Sequence, residues 1–235
     1  MKILAIDSTA KAASAAVLED GKTLGEYTLD NGLTQSELLL PMIESLMDSL
    51  KIKYSDIGLF ATSVGPGSFT GVRIGTAIIK GMAFGTDTAC VGVSTLEALA
   101  ENLNGISGII LPVMDARRRQ FYTASFKSSP EGIERLTEDA ALGIDEIEAL
   151  IRSYDAPVYI VGDGYYLLKE LLLKKGIETQ TTPSLLITEN AASVGKVALR
   201  HYLNGDFTND TDLKPSYLRL PQAERERLER ENNSK

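Results

Sequence analysis

The sequence predicts an α/β fold of two lobes laid out on one plan. A short apolar strand ending in aspartate, then a turn and a second strand, occurs at Ile3–Ile6 with Asp7. It occurs again at Ile109–Met114 with Asp115. A strand, a glycine turn and a helix occur over 57–85 and again over 158–175. Both recurrences are displaced by roughly 100 residues, the mark of an internal duplication whose second copy is degenerate. The lobes are expected over 1–103 and 104–211, and a C-terminal segment over 212–235 carries a charged helix at 222–232.

Each element has a local reason. Ile3–Ile6 and Ala13–Leu18 are apolar runs of strand length, and Asp20-Gly21 is a hairpin turn into a third strand over Thr23–Thr28. Thr34 and Glu37 form a capping box that starts a helix to about Leu50, with a kink expected at Pro41. Ile57–Ser63 reads as a buried strand. The turn Gly65-Pro66-Gly67 follows, and Ser68 is the N-cap of a helix over Thr70–Phe84. Ala89–Val93 is a strand, and Ser94 with Glu97 opens a helix to about Leu103. Asn104-Gly105 and Ser107-Gly108 mark the lobe boundary. The second lobe has strands at Gln120–Phe126 and Val158–Val161, and a helix at Tyr165–Lys175. A helix over Glu189–Leu203, capped by Thr188, follows them.

Composition narrows the function classes. With 43% hydrophobic residues among 235, the chain can bury a sizeable core. A formal charge of −8 opposes unaided nucleic-acid binding, which normally needs a basic face. One cysteine, Cys90, and one histidine, His201, leave no disulfide within the chain and no histidine- or cysteine-based metal site. No apolar run is long enough to span a bilayer, no signal-peptide pattern opens the sequence, and cytoplasmic residence is the expectation.

Two regions are candidates for function. The turn Gly65–Gly71 reads either as an anion cradle at a helix N-terminus or as a tight strand-to-helix turn without ligand. The helix after it is apolar on nearly every side except for Arg73, Thr76 and Lys80, and the helix at 35–50 also has a wide apolar arc. That excess predicts a partner-binding surface formed by Leu38, Leu39, Met42, Leu46, Gly71, Arg73, Gly75, Ile78, Ile79 and Met82. Gly71 and Gly75 would let a second backbone come close. Asp7 and Asp115, at matching strand ends, are expected to face each other across a cleft. With Ser8, Thr9, Gly162 and Gly164 they form a candidate vestigial nucleotide site whose turn backbone would hold phosphates. Arg117, Arg118 and Arg119 could meet phosphate or stand as a solvated face. Ala61-Thr62-Ser63-Val64-Gly65 is a near miss to a nucleophile elbow, with His201 in the chain order of a serine hydrolase.

The paired hairpins resemble the duplicated actin-like, sugar-kinase and Hsp70-type ATPase fold, built from RNase H-like lobes. More narrowly, several stretches make almost the whole chain resemble the TsaB (YeaZ) family. They are Ile3-Leu4-Ala5-Ile6-Asp7-Ser8-Thr9, Gly65–Gly75, Val93-Ser94-Thr95-Leu96-Glu97-Ala98-Leu99-Ala100, Asp115-Ala116-Arg117-Arg118 and Tyr217-Leu218-Arg219. That family serves the bacterial machinery that makes tRNA threonylcarbamoyladenosine. Gln35 stands where members often carry histidine before Ser36-Glu37. The resemblance implies a non-catalytic scaffold whose first lobe pairs, through a helix bundle, with a TsaD-like catalytic subunit, and a TsaE-like ATPase completes the assembly. It also implies tRNA contact only through the complex, and no metal, since the H-x-x-x-H pair of the catalytic relatives cannot exist with one histidine. The excess apolar surface of the two helices predicts a homodimer when the chain is alone. ATP with Mg²⁺ is expected to bind weakly, or only within the complex, because Tyr165 and Tyr166 replace small residues after Gly164. An independent actin-like ATPase or small-molecule kinase is the alternative reading, and a serine hydrolase or glycoprotease-like peptidase a remote one.

Overall fold

The computed structural model describes residues 1–117 and 119–218. The first sheet holds β1 (Lys2–Asp7), β2 (Ala13–Glu19), β3 (Lys22–Leu29), β4 (Ile57–Gly65) and β5 (Ala89–Ser94), in the order β3-β2-β1-β4-β5. β2 runs antiparallel to β1 and β3, whereas β4 and β5 run parallel to β1. This is the RNase H-like strand order. Helix α1 (Gln35–Leu50) follows β3, and α2 (Phe69–Ala83) follows β4. The capping box at the start of α1 is formed, with Thr34 N–H donating to Glu37 Oε2 at 2.9 Å. The helix continues through Pro41 to Leu50. Ser68 caps α2, its Oγ accepting from Gly71 N–H.

The second half repeats the plan in broken form. β6 (Gly108–Asp115) is flanked on one edge by β7 (Gln120–Thr123) and β8 (Phe126–Ser129), and on the other by β11 (Val158–Val161), which runs parallel to it. The single strand expected over Gln120–Phe126 is therefore two strands. Both keep one register with β6, and the ladder breaks where Ala124 stands opposite Pro112, which has no N–H to give. The next residue, Ser125, receives Leu136 N–H on its carbonyl and gives its own N–H to Thr137 Oγ1. β9 (Gly132–Arg135) and β10 (Ala140–Gly143) extend the two pieces, and a fifth strand is reduced to a bridge between Tyr159 and Gln180. Helices α4 (Ile144–Arg152) and α5 (Tyr165–Lys174) correspond to α1 and α2.

Strict alternation along the strands separates four apolar layers. Leu4, Ile6, Ala15, Val17 and Phe60 face α1 and α2; Ile3, Ala5, Ala16, Leu18, Leu59 and Ala61 face the other way. That second face is covered by α6 (Ala191–Leu203), with Ala191, Val194 and Val197 packed on it. The sequence reading places this helix in the second lobe, over 104–211, and the structure corrects it: α6 closes the first sheet. Conversely α3 (Thr95–Glu101), which ends the first half, buries Leu96, Leu99 and Ala100 against Ile110, Met114, Phe126 and Val161 of the second sheet. Each half lends its third helix to the other. The cap of α6 is Asn190 rather than Thr188, its Oδ1 accepting from Ser193 N–H at 2.8 Å. The expected helix at 222–232 lies outside the described residues.

An ion cluster ties the exchanged helices to the second lobe. His201 Nε2 lies 3.1 Å from Glu97 and its Nδ1 2.9 Å from Asp206; Arg200 pairs with Glu101 at 2.6 Å; and Arg135 of β9 pairs with Asp139 at 2.6 Å and approaches Glu97 at 3.8 Å. The hydrogen bond to Glu97 raises the His201 pKa above its ordinary 6.5. A raised histidine pKa contributes stability that is fully present below 6.5 and is lost as pH rises through the folded-state value. His201→Ala is therefore expected to cost about 0.5–1 kcal/mol at low pH, given the partial exposure of the pair. The deficit should vanish in alkaline buffer, as followed by urea unfolding at several pH values. A second expectation follows from the helix exchange. Residues 1–103 alone expose the face that α6 covers, at a loss of roughly 1.5–3 kcal/mol for each large side chain unburied. That fragment should show no cooperative thermal transition by circular dichroism, whereas the full chain should.

Candidate functional site

The first-lobe turn is built by close approach of backbones. Gly71 and Gly75 lie on the face of α2 that meets the end of β1. An added Cβ would stand 1.9 Å from Ser8 O at Gly71, and 2.5 Å from Ser8 Oγ and 2.9 Å from Thr62 Oγ1 at Gly75. Ser8 Oγ donates to Gly71 O at 2.8 Å, and Ser68 N–H donates to Thr9 O at 2.7 Å. Gly67, at φ +156°, has no space for a side chain beside Thr9 O. The glycines are there to seat the helix on the turn of its own lobe. This corrects their expected role as a landing strip for a partner's backbone.

Asp7 is sealed beneath this turn. Its Oδ1 accepts from Thr9 N–H and Thr9 Oγ1, both at 2.9 Å, and its Oδ2 accepts from Ser63 Oγ. Burial raises the Asp7 pKa, and the Ser63 and Thr9 donors offset part of that rise. The expected confrontation of Asp7 with Asp115 across a cleft does not occur, because Asp7 is only 1% exposed. Asp115 is exposed, accepts Arg117 N–H at 2.7 Å, and gives its own N–H to Asp163 Oδ1 at 3.1 Å. Loss of solvent, with Asp115 alongside, raises the Asp163 pKa. Gly162 and Gly164 pack on β6: a Cβ at Gly162 would stand 2.2 Å from Val113 O, and Gly164 N–H donates to that same oxygen at 3.1 Å. They too serve chain packing. Tyr165 points into the second-lobe core, and Tyr166 into solvent.

A cleft of about 600 Å³ remains between the lobes. Thr9, Lys11 and the α2 start at Ser68–Thr70 line one side; Asp115, Arg117, Tyr122 and Asp163 line the other. Ser216, Tyr217 and Leu218 close its end. Tyr217 stacks on Phe69 at 4.9 Å between centroids, and its hydroxyl accepts from Arg73 Nε at 2.8 Å. The cleft offers an anion the cationic side chains of Lys11 and Arg117 and a helix N-terminus, set against two acids. No group of three or more His, Cys, Asp or Glu among the described residues could hold a metal ion. Ser63 and His201 do not pair either, since Ser63 Oγ is given to Asp7 and both ring nitrogens of His201 face Glu97 and Asp206.

The predicted partner surface is mostly interior. Leu38, Leu39, Met42, Leu46 and Ile79 are buried between α1, α2 and the sheet. Arg73 is exposed, and Ile78 and Met82 are half-buried at the layer's rim. The outer face carries residues outside the predicted surface: Leu33, Leu40 and Phe84 are 52%, 46% and 78% exposed, and Ala77 and Gly81 are exposed too. The missed signal was the spacing of Arg73, Ala77 and Gly81 at every fourth position, which marks the solvent stripe once Gly71 and Gly75 are turned inward.

A protein of Bacillus subtilis named tRNA threonylcarbamoyladenosine biosynthesis protein TsaB is 30% identical over 97% of this chain and 99% of its own length. The chain belongs to the TsaB family. A second TsaB, from Escherichia coli, is 30% identical over 93% of the chain and 95% of its own. The family model described as TsaD, tRNA N6-adenosine threonylcarbamoyltransferase, matches residues 34–227. The solved structure of YeaZ from Pseudomonas aeruginosa shares the fold, with a TM-score of 0.76 at 22% identity over 92% of this chain and 99% of that one. The two-lobe α/β class expected from the hairpins holds, with two sheets in the fold of that YeaZ structure. No helix among the described residues is long and apolar enough to cross a membrane.

For this TsaB-family chain the glycine geometry yields a paired expectation. Gly71→Ala should destabilise the chain by about 3 kcal/mol or more, because the obstacle is backbone and cannot rotate away. Gly81→Ala, on the same helix with nothing within 4 Å, should instead gain about 0.5–1 kcal/mol. Denaturant unfolding of the two variants beside wild type reads both values.

Proposed function

We propose that this chain is a non-catalytic subunit in the biosynthesis of tRNA threonylcarbamoyladenosine, the modified adenosine next to the anticodon. In this reading it docks a TsaD-like catalytic subunit on the outer face of α1 and α2, with a TsaE-like ATPase joining the assembly. Two observations support it. Relatives matched over nearly their full length carry that biosynthetic name. The single structural observation that carries the docking surface is the exposure of Leu33, Leu40, Ala77, Gly81 and Phe84, small or apolar residues at α1 and α2 above the layer those helices bury. Without its partner the same face would pair with a second copy. A stable contact of this kind buries roughly 1,200–2,000 Å² in total. The chain's charge of −8 assigns tRNA contact to the assembly rather than to this subunit alone.

Ala77→Arg tests the docking surface, because Ala77 is exposed on this face and its substitution leaves the core untouched. Monomer stability should change by no more than about 0.5 kcal/mol. Affinity for the catalytic subunit should fall roughly tenfold or more, as expected when a charge enters the centre of an interface. Light scattering after size exclusion, with titration of the partner, measures both. Unchanged assembly would remove this face from the reading.

The independent ATPase or kinase reading is favoured by one feature, the cations Lys11 and Arg117 on the walls of the cleft. Against it stand the packed glycines of both lobes and the sealed Asp7. Calorimetric titration of the isolated chain with ATP and Mg²⁺ is expected to give little or no heat. Micromolar affinity that weakens on Arg117→Ala would restore the ATPase reading.

A further inference from the structure

The chain crosses from the second lobe back to the first through residues 187–190, and the backbone there is held from both sides. Gly162 N–H donates to Ile187 O at 2.6 Å on the second-lobe side. On the first-lobe side Ala191 N–H donates to Ser14 Oγ and Ala192 N–H to Glu26 Oε1, each at 2.9 Å. Asn102 of the first half fastens the crossing, donating to Leu186 O at 3.0 Å and Thr188 O at 2.9 Å. Its Oδ1 accepts from Asn190 Nδ2 and Ser193 Oγ, both at 2.8 Å.

In the middle of this fastened segment sits Glu189, 4% exposed, with no hydrogen-bond partner for its Oε1 among the described residues. The charged groups that bear on it are Asp163, from the turn between β11 and α5, and Asp7, from the end of β1. One belongs to each lobe, and both are acids. Asp115 and Lys11 act one step further out, on Asp163. A buried carboxylate facing like charge is the costly state and a neutral acid the tolerated one.

We propose that the Glu189 carboxyl is a proton-operated lock between the lobes, closing them on the cleft while it carries its proton and separating them when it loses it. Ionisation adds a negative charge beside two other acids at one buried junction, where the backbone N–H groups of Glu189 and Asp163 offset only part of the cost. The crossing segment is the place where relief comes by parting the lobes and admitting water. Burial, with Asp163 and Asp7 nearby, pushes the Glu189 pKa up to about 8, so the change falls just above neutral pH. The group binds its proton more tightly folded than unfolded. Its contribution to stability is thus fully present below the ordinary 4.5 and is lost as pH rises to about 8, with no further change above.

The test is the distance between spin labels at Lys22→Cys in the first lobe and Glu131→Cys in the second, both exposed, measured by pulsed electron resonance in the full chain. Cys90 is buried with its thiol pKa pushed up to about 11, so it escapes labelling. The distance should lengthen reversibly between pH 6.5 and pH 9 with native Glu189, while Glu189→Gln should hold the pH 6.5 distance at both. In thermal unfolding, the advantage of Glu189→Gln over native Glu189 should grow from pH 5 to pH 8 and then level. A native distance that ignores pH, or an equal lengthening in Glu189→Gln, overturns the proposal. So does a stability difference with no change in distance. Should Glu189→Gln fail to fold, Asp163→Asn serves in its place, since its amide oxygen can still accept Asp115 N–H. It should shrink the lengthening, and a lengthening of native size would equally refute the lock.

Discussion

The contact on which the rest of the structure depends is the seating of α2 on the end of β1 through Gly71. With no Cβ there, the helix backbone comes down onto Ser8, and Ser8 Oγ and Thr9 O close the contact from the other side. Three consequences follow. The helix is rotated so that Arg73, Ala77 and Gly81 look outward. The turn above Asp7 is sealed, so its carboxyl becomes a structural acceptor for Ser63 and Thr9. The start of α2 becomes one wall of the cleft. The outward stripe of α2, a closed first-lobe turn and one wall of the cleft are thus one decision made by one missing methyl group.

The second organising fact is the exchange of third helices. α6 covers the inner face of the first sheet, and α3 covers that of the second. The lobes are therefore interleaved units that complete each other's cores, and the crossing at 187–190 is a joint within a shared interior. This explains why a carboxylic acid can be buried there at all. The segment is fixed by Asn102, Ser14 and Gly162 for reasons of packing, and Glu189 is carried into the junction between the lobes with it.

Much of this was legible in the sequence where the determinants are local. The capping box at Thr34–Glu37, the caps at Ser94 and Ser68 and the Asp20-Gly21 hairpin all lie within a few residues of what they control, though the Glu97 side chain leaves the Ser94 cap for His201 and Arg135. The duplication was legible because strand, aspartate and turn recur as a unit. What failed was long-range. Two glycines four apart look alike whether they admit a partner helix or their own lobe's turn, and the deciding atom belongs to Ser8, 63 residues away from Gly71. Asp7 and Asp115 hold equivalent strand ends, yet one is capped by Ser63 and the other is open, a difference made by β4. The break opposite Pro112 was hidden because Gln120–Phe126 has no glycine or proline of its own, and the deciding proline stands on the neighbouring strand. Glu189 reads as an ordinary first-turn acid until the lobes close around it.

The functional account rests on one assignment, that the outward face of α1 and α2 is where this TsaB-family chain meets its catalytic partner while the cleft stays a secondary feature. Amide hydrogen exchange, compared for the chain alone and with the TsaD-like subunit, bears on it most directly. The account predicts added protection over residues 33–50 and 70–85, with the second-lobe helices α4 and α5 unchanged. Protection confined to the cleft walls at Lys11 and Asp115–Arg117, or to the second lobe, would contradict it.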